Sequence, residues 1–258
     1  MSQKRVDLFG VLIDDISLSE ALSRCEIKIK RGEGMNVFTP NLEMLSTAKG
    51  NRKIREVLNG ASLSLPDGFS LRLFARLLGK ELENTVAGID FGKELIKRCT
   101  KEGEGIFLLG GKRGVAVRAA NKLKRELPNL KICGIRHGYF SADQEDDIIN
   151  KIDRSGASVV LVCLGFPRQE LFAERLQERL KNKKIIVCLG GALDVWSGNK
   201  KRAPIAWREA HLEWLWRVIN EPKRAGRVIR SLRIFPSALI FYAKRRVALW
   251  NKADERGI

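Results

Sequence analysis

Apolar positions in the first 200 residues fall into short runs separated by longer amphipathic stretches. Six runs have the length and composition of β-strands: MNVFTP, SLSLPD, GIFLLGG, KICGIR, SVVLVCLG and KIIVCLGG. Between them, stretches such as RGVAVRAANKLKREL and RQELFAERLQERLKNKK repeat apolar residues at helical spacing. Strands that alternate with helices indicate βαβ units, and nearly continuous apolar strands indicate burial on both faces. We therefore predict an α/β fold with a mostly parallel, Rossmann-like sheet flanked by helices.

From about residue 200 the pattern changes to helix-like segments only. The stretch LEWLWRVINEPKRAGRVIRSLRIFPSALIFYAKRRVALW mixes apolar and aromatic residues with Arg and Lys, and Pro222 and Pro236 divide it. We therefore divide the chain into an α/β core at residues 1–199 and a basic, aromatic helical appendage at residues 200–258. An apolar face flanked by cations is typical of a helix that lies on a membrane. The alternative is an appendage that packs on the core and exposes a solvated basic face, and the sequence leaves both open.

The excess of positive charge in the chain indicates the class of its binding partner. Its 48 Lys and Arg against 30 Asp and Glu give a formal net charge of +18, and residues 200–258 alone hold 15 against 5. Such a local excess indicates a polyanionic partner: nucleic acid, an anionic membrane or a phosphate-bearing substrate. The N-terminus lacks the apolar segment of a secretory signal, and the apolar run at 234–243 has ten residues, where a membrane-spanning helix needs about 20. We therefore expect a cytoplasmic protein.

Metal-binding patterns are missing from the sequence. The five cysteines are scattered without a CxxC pair, there are two histidines, and no Asp-x-Asp sequence occurs that could hold a metal–diphosphate complex. We therefore expect neither a structural zinc site nor a metal or other cofactor.

Polar residues and glycines cluster directly after the predicted strands. The carboxyl ends of parallel strands line one edge of the sheet, and ligands bind in the crevice there. We therefore expect a ligand crevice formed by six loops, which carry Thr39 and Asn41, Asp67, Gly110 and Gly111, His137 to Tyr139, Pro167 and Gln169, and Gly190 and Asp194.

Most of these residues also have an interpretation that needs no ligand. Backbone N–H groups at Gly110 and Gly111 suit a phosphate, but glycine at a strand-to-helix turn can serve geometry alone. Thr39, Asn41 and Asp67 can each cap the following helix or occupy a turn. The local sequence does not separate the two roles for any of them.

Ten short motifs occur in the order and approximate spacing of one known family, between about residue 6 and about residue 230. They are TPNLEML, LPDG, VAGIDF, FLLGG, GYF, LGFPRQE, GGALDVWSG, KRAP, LEWLWR and EPKRAGR. The chain therefore resembles the WecG/TagA/CpsF glycosyltransferases, and within them the teichoic acid TagA-like branch. Family members act at the cytoplasmic membrane face and transfer a sugar from a UDP-sugar to an undecaprenyl-diphosphate-linked saccharide. The resemblance also implies that the chain can self-associate.

The resemblance implies roles for individual residues. Asp67 falls on the candidate general base, which takes the proton of the acceptor hydroxyl in a single inverting displacement. The substrate-binding residues that we expect beside it are Thr39, Asn41, Gly110, Gly111, Gln169, Asp194 and Arg202. The arginines of the family's basic appendage match Arg217, Arg224 and Arg227, which would neutralise the diphosphate of the leaving UDP in place of a metal ion.

One position departs from the family pattern. Thr85 stands before the VAGIDF motif, where members typically carry Arg. If that Arg holds a phosphate, this chain lacks the contact and has a weaker activity, another cation in its place or a different substrate. The tail beyond residue 230 is not part of the resemblance, and we interpret it as a membrane-facing extension.

The expected function is therefore that of an inverting, metal-independent hexosyltransferase. It would move N-acetylmannosamine or a related hexose from a UDP-sugar to an undecaprenyl-diphosphate-linked GlcNAc-type acceptor in cell-surface polysaccharide or teichoic acid synthesis. It would work as a peripheral protein on the inner face of the bacterial plasma membrane. Two alternatives stay open: a basic nucleic-acid-binding protein, which lacks a recognition motif here and would show a steep salt dependence, and a non-catalytic nucleotide-binding α/β protein.

Overall fold

The computed structural model describes residues 4–222 and 225–240. The strands are β1 (Arg5–Leu8), β2 (Val11–Asp14), β3 (Met35–Phe38), β4 (Leu63–Ser64), β5 (Gly105–Gly110), β6 (Lys131–Arg136), β7 (Val159–Cys163) and β8 (Ile185–Cys188). The helices are α1 (Leu18–Lys30), α2 (Leu42–Gly50), α3 (Arg52–Asn59), α4 (Phe69–Leu77), α5 (Gly88–Glu102), α6 (Val115–Glu126), α7 (Glu145–Arg154), α8 (Arg168–Arg179), α9 (Ala192–Trp196), α10 (Ile205–Glu209), α11 (Glu213–Asn220) and α12 (Ala225–Leu232).

The six predicted strands form one parallel sheet in the order β4-β3-β8-β7-β5-β6. The predicted α/β fold is therefore confirmed. Every residue of β7 and β8 is buried, which explains why their apolar runs are almost continuous. Successive residues of a strand point to opposite faces, so Val160 packs in one buried cluster and Leu161 in the other.

Helices cover both faces of this sheet. The cluster on one face combines strand residues with α2, α3, α4, α7 and α8. The cluster on the other face combines them with α1, α5, α6 and α9. Local signals set the helix ends: Ser17 and Glu20 form a reciprocal capping box at the start of α1, and Gly103 ends α5 with a φ of 72°.

A two-stranded antiparallel hairpin, β1 and β2, precedes the main sheet. Its turn residues Phe9 and Gly10 have φ values of 56° and 83°, and the Gly10 backbone N–H donates to Asp7 Oδ1 at 2.6 Å. The buried carboxylate of Asp14 accepts from the Ser64 backbone N–H at 2.7 Å, which attaches the hairpin to β4.

The described part of the C-terminal appendage packs on the core. α12 contacts α2, and Ile234 and Ala238 are buried in the cluster on that face. At the start of α4, the Phe69 ring stacks on His211 with 4.0 Å between ring centroids. In residues 4–222 and 225–240, no helix is both long and apolar enough to cross a bilayer. The boundary at residue 199 and the membrane contact of residues 200–258 stay predictions, and 241–258 lie outside the described residues.

Candidate active site

A cavity of about 300 Å³ opens at the carboxyl ends of β4, β3 and β8. One side of its wall belongs to the loops that follow these strands and to the start of α5. The other side belongs to the appendage, so the cavity lies between core and appendage. Its polar and charged lining includes Thr39, Asn41, Glu43, Asp67, Ser70, Lys200, Lys201, Arg202, Glu213, Arg217, Glu221 and Ser231.

Backbone hydrogen bonds join the loops on the core side. The Asp67 N–H donates to the Pro40 carbonyl at 3.0 Å, and the Val86 N–H donates to the Pro66 carbonyl at 2.8 Å. These bonds hold the TPN, PDG and VAG loops next to one another, although Thr39 and Val86 lie 47 residues apart in the sequence.

Thr39 connects two neighbouring strands at the floor of the cavity. Its buried hydroxyl donates to the Cys188 carbonyl at 3.1 Å, which bridges the ends of β3 and β8. Gly88 approaches it closely, because a Cβ at Gly88 would lie 3.0 Å from Thr39 Cγ2. A side chain at Gly88 would therefore shift Thr39 by a few tenths of an ångström.

Asn41 caps a helix and also lines the cavity. Its Oδ1 accepts from the Met44 backbone N–H at 3.2 Å, which satisfies a free donor at the start of α2. The capping interpretation of this residue is therefore correct, and contact with a substrate stays a prediction beside it.

Asp67 does not cap the helix that follows it. α4 begins after Gly68, whose φ is 93°, and no side chain caps its first turn. The carboxyl of Asp67 faces the cavity instead. Burial raises its pKa to about 6 from an ordinary 3.8, the positive charge of Arg217 opposes this rise, and the negative charge of Glu213 adds to it. At neutral pH such a carboxyl is mostly ionised and is a stronger base than an exposed aspartate.

Each arginine in the part of the cavity wall that the structure describes forms an ion pair with an acidic residue. Arg202 donates through both terminal nitrogens to the carboxylate of Asp90, at 2.5 Å each. Arg217 binds Glu213 one helical turn earlier, with 3.0 Å from Nε to Oε1. Lys200 forms a similar pair with Glu221 at 2.5 Å. The cavity thus concentrates cations whose present partners are carboxylates.

The cavity lies at the strand ends and is lined by the carboxylate of Asp67 and by several cations. Such a lining suits a substrate that carries both hydroxyl groups and phosphates. The sequence model of the family described as "Glycosyl transferase WecG/TagA/CpsF family" matches residues 6–249, nearly the whole chain. The protein belongs to the WecG/TagA/CpsF glycosyltransferase family. It is therefore a glycosyltransferase of cell-surface polysaccharide synthesis, which uses a sugar donor and an acceptor.

Five of the residues predicted for this glycosyltransferase come together at the cavity: Thr39, Asn41, Asp67, Arg202 and Arg217. Arg224 lies outside the described residues, as does the side chain of Arg227. Thr85, at the position that departs from the family pattern, is exposed and is not part of the cavity lining.

Four other predicted residues do not line this cavity: Gly110, Gly111, Gln169 and Asp194. Gly110 ends β5, three strands away from β3 in the sheet, which corresponds to roughly 14 Å between the strands. All six loops share one edge of the sheet, but the loop after β5 lies too far along that edge to reach the cavity. The segment after β8 does line it, through Gly191, Ala192 and Val195, but Asp194 is not part of the lining. The substrate-binding roles of these four residues stay predictions.

Three hydrogen bonds hold the side chain of Gln169 inside the glycosyltransferase core. Its side chain is 4% exposed. Oε1 accepts from the backbone N–H groups of Gly165 at 3.2 Å and Gly190 at 2.9 Å, and Nε2 donates to Glu170 Oε1 at 2.7 Å. Gln169 therefore connects the loop after β7 to the loop after β8, of which Gly191 lines the cavity.

Sequence reasoning missed three contributors to the site. Asp90 and Gly88 lie in the VAGIDF motif and Glu213 begins the helix of the LEWLWR motif, so the motifs contained them. Their roles depend on contacts with Arg202, Thr39 and Arg217, which local sequence does not reveal except for the i, i+4 spacing of Glu213 and Arg217.

Proposed function

We propose that the protein is an inverting, metal-independent glycosyltransferase that moves N-acetylmannosamine or a related hexose from a UDP-sugar to an undecaprenyl-diphosphate-linked acceptor. The observation that carries this proposal is the carboxyl of Asp67, which faces a cavity at the strand ends and has a pKa of about 6. Asp67 is then the general base of the reaction.

In the proposed reaction, the acceptor hydroxyl oxygen attacks the anomeric carbon of the donor. The bond between that carbon and the UDP oxygen breaks as the new glycosidic bond forms, and the hydroxyl proton passes to Asp67. A single displacement of this kind inverts the anomeric centre. An acceptor hydroxyl is a very weak acid, so its proton leaves late, when charge has developed on the oxygen. Asp67 therefore contributes mainly to turnover and little to binding.

Cations are proposed to stabilise the diphosphate of the leaving UDP. Lys200, Arg202 and Arg217 line the cavity, and guanidinium groups bind phosphate oxygens with two parallel hydrogen bonds. The sequence contains no Asp-x-Asp, so we assign to these cations the charge stabilisation that a metal ion gives in other transferases. Arg224 and Arg227 are proposed to add to them.

The appendage is proposed to hold the enzyme at the inner face of the plasma membrane. Large apolar side chains are exposed on α11 and α12 close to the cavity, among them Trp214, Ile219, Ile229 and Leu232. Together with the basic composition of this region they support interfacial binding to anionic lipid. Vesicles that contain anionic lipid should bind the full chain, and truncation after Ile240, which keeps the buried Ile234 and Ala238, should weaken that binding. Unchanged binding after truncation would contradict the membrane role of the tail.

The experiment for the proposed function measures UDP release from a panel of UDP-sugars, with a short-chain lipid-diphosphate-GlcNAc acceptor and EDTA. We expect one donor to give release that requires the acceptor and survives EDTA, with an inverted anomeric configuration in the product. Release that EDTA abolishes would contradict metal independence. If no donor gives acceptor-dependent release, the proposed donor and acceptor classes are wrong.

A further inference from the structure

The carboxylate of Asp67 does not pair with Arg217, the arginine that affects its pKa most. Among the residues that the structure describes, Asp67 forms no ion pair within 4 Å, although Arg217 exerts the strongest charge effect on it. Arg217 instead directs both Nε and Nη2 to Glu213 Oε1. Arg202, the other arginine of the wall, is held in the same way by Asp90.

We propose that Glu213 is a positioning residue that holds the Arg217 guanidinium away from Asp67 while the diphosphate is absent from the cavity. The proposal rests on the proposed function of this site, in which Asp67 must be free to accept a proton. It assigns to Glu213 a role beyond that of a helix-stabilising partner for Arg217.

The physical reason is the competition of acceptors for one guanidinium. An arginine without a partner beside a poorly solvated carboxylate forms a charge-assisted pair with it. Such a pair would engage Asp67 and weaken it as a base. Glu213 offers Arg217 an equivalent carboxylate on its own helix and lines the same cavity. A diphosphate carries more charge and more acceptor oxygens than one carboxylate, so it can take Arg217 from Glu213 and return it when UDP leaves.

Charged groups face Asp67 from every side of the cavity. α2 contributes Glu43, and the start of α5 contributes Asp90. The segment before α10 contributes Lys200, Lys201 and Arg202, α11 contributes Glu213 and Arg217, and Glu221 follows directly after α11. The effect of Glu213 must therefore be separated from the general electrostatic field. A double-mutant cycle with Arg217 achieves this separation.

The test measures the pKa of Asp67 in the full-length protein by carbon-detected NMR, with the carboxyl signal assigned by its loss in Asp67→Asn. Four proteins are compared: wild type, Glu213→Gln, Arg217→Gln and the double variant. We expect Glu213→Gln to lower the pKa of Asp67 by about one unit when Arg217 is present, because the freed guanidinium moves to Asp67. Without Arg217 the same substitution should lower it by less than half as much.

The proposal is overturned if Glu213→Gln lowers the pKa of Asp67 equally with and without Arg217, since Glu213 would then act only through its own charge. No lowering at all would overturn it too. Glu209→Gln is the matched control, because Glu209 is an exposed glutamate of the appendage outside the cavity lining, and it should leave the pKa unchanged. Glu213→Asp, which keeps the charge, should return the pKa towards the wild-type value. The titration needs no turnover, so it is independent of whether the acceptor-dependent release of UDP is observed.

Discussion

The backbone N–H of Asp67 donates to the carbonyl of Pro40 at 3.0 Å. This bond places the central carboxylate next to the loop of Thr39 and Asn41, which also line the core side of the cavity. Main-chain geometry thus positions the carboxylate, and its side chain does not cap α4, the helix that follows it. That combination is what a general base requires: a fixed place and an available oxygen.

The activity is predicted to fall on the acid side of a pH of about 6. Burial raises the pKa of Asp67 to about 6, and a base must be ionised to accept a proton. Values of kcat/KM for UDP release, measured between pH 4.5 and 9, should therefore decrease about tenfold per unit below this pKa. An acid limb near 4, the ordinary value for aspartate, would show that the titrating group is not this carboxyl.

Replacement of Asp67 by Asn is predicted to stabilise the fold at alkaline pH. The pKa of Asp67 is higher in the folded protein than in the unfolded chain, so the folded state binds this proton more tightly. That contribution to stability is complete below about pH 3.8 and is lost as the pH rises through about 6. Asp67→Asn should therefore raise the free energy of unfolding by about 1 to 3 kcal/mol at pH 8 and much less at pH 4.5. Denaturant titrations at both pH values check this, and a loss of stability at pH 8 would contradict it.

The two roles of Asn41 can be separated with a second capping asparagine. Asn41→Ala and Asn51→Ala each remove an N-cap, of α2 and α3 respectively, so each should cost about 1 kcal/mol of stability. Only Asn41 lines the cavity, so only Asn41→Ala should also reduce activity beyond its effect on stability. Asn41→Ser keeps a capping oxygen and should restore stability without restoring activity. Full activity in Asn41→Ser would mean that this residue acts as a cap alone.

Gln169 is predicted to act by positioning two loops. Gln169→Leu leaves the N–H groups of Gly165 and Gly190 without their acceptor, and an unpaired buried donor costs about 1 to 3 kcal/mol. We expect a clear loss of stability together with reduced kcat and a nearly unchanged KM for the donor. A raised KM with unchanged stability would instead support the substrate-binding role that the sequence suggests.

The neighbouring residue Glu170 accepts a hydrogen bond from the Gln169 side chain, and its pKa provides an independent check of this buried contact. Burial raises its pKa to about 7, so the folded wild type should lose stability as the pH rises through 7. Glu170→Gln should remove that part of the pH dependence, whereas Glu178→Gln, at an exposed position of the same helix, should preserve it.

Much of the fold was predictable because buried parallel strands leave a strong sequence signal. All six apolar runs became strands of one sheet. Their order was not predictable, since it depends on long-range packing between helices and sheet. The β1–β2 hairpin was missed because its turn places Phe9 at a positive φ, where the usual sequence signal is Asn or Gly.

The residues on the core side of the cavity were predictable from the sequence. The acidic partners of its arginines were less predictable. Asp67 follows β4, and Thr39 and Asn41 follow the neighbouring strand β3, so the three residues meet at one cavity. Gly110 ends β5, three strands away from β3, and lies beyond its reach. Gln169 follows β7 and bonds to the loop after β8, but it does not line the cavity. The partnership of Arg202 with Asp90 spans 112 residues, and no local pattern predicts such a contact.

The most direct test of the central claim compares Asp67→Asn with wild type in turnover and in donor binding on the same preparations. We predict that turnover falls by about 100- to 10,000-fold, while the dissociation constant for the UDP-sugar changes by less than about threefold. Asp143→Asn, an exposed aspartate outside the cavity lining, should match wild type in both. Turnover within tenfold of wild type in Asp67→Asn would contradict the assignment of Asp67 as the general base.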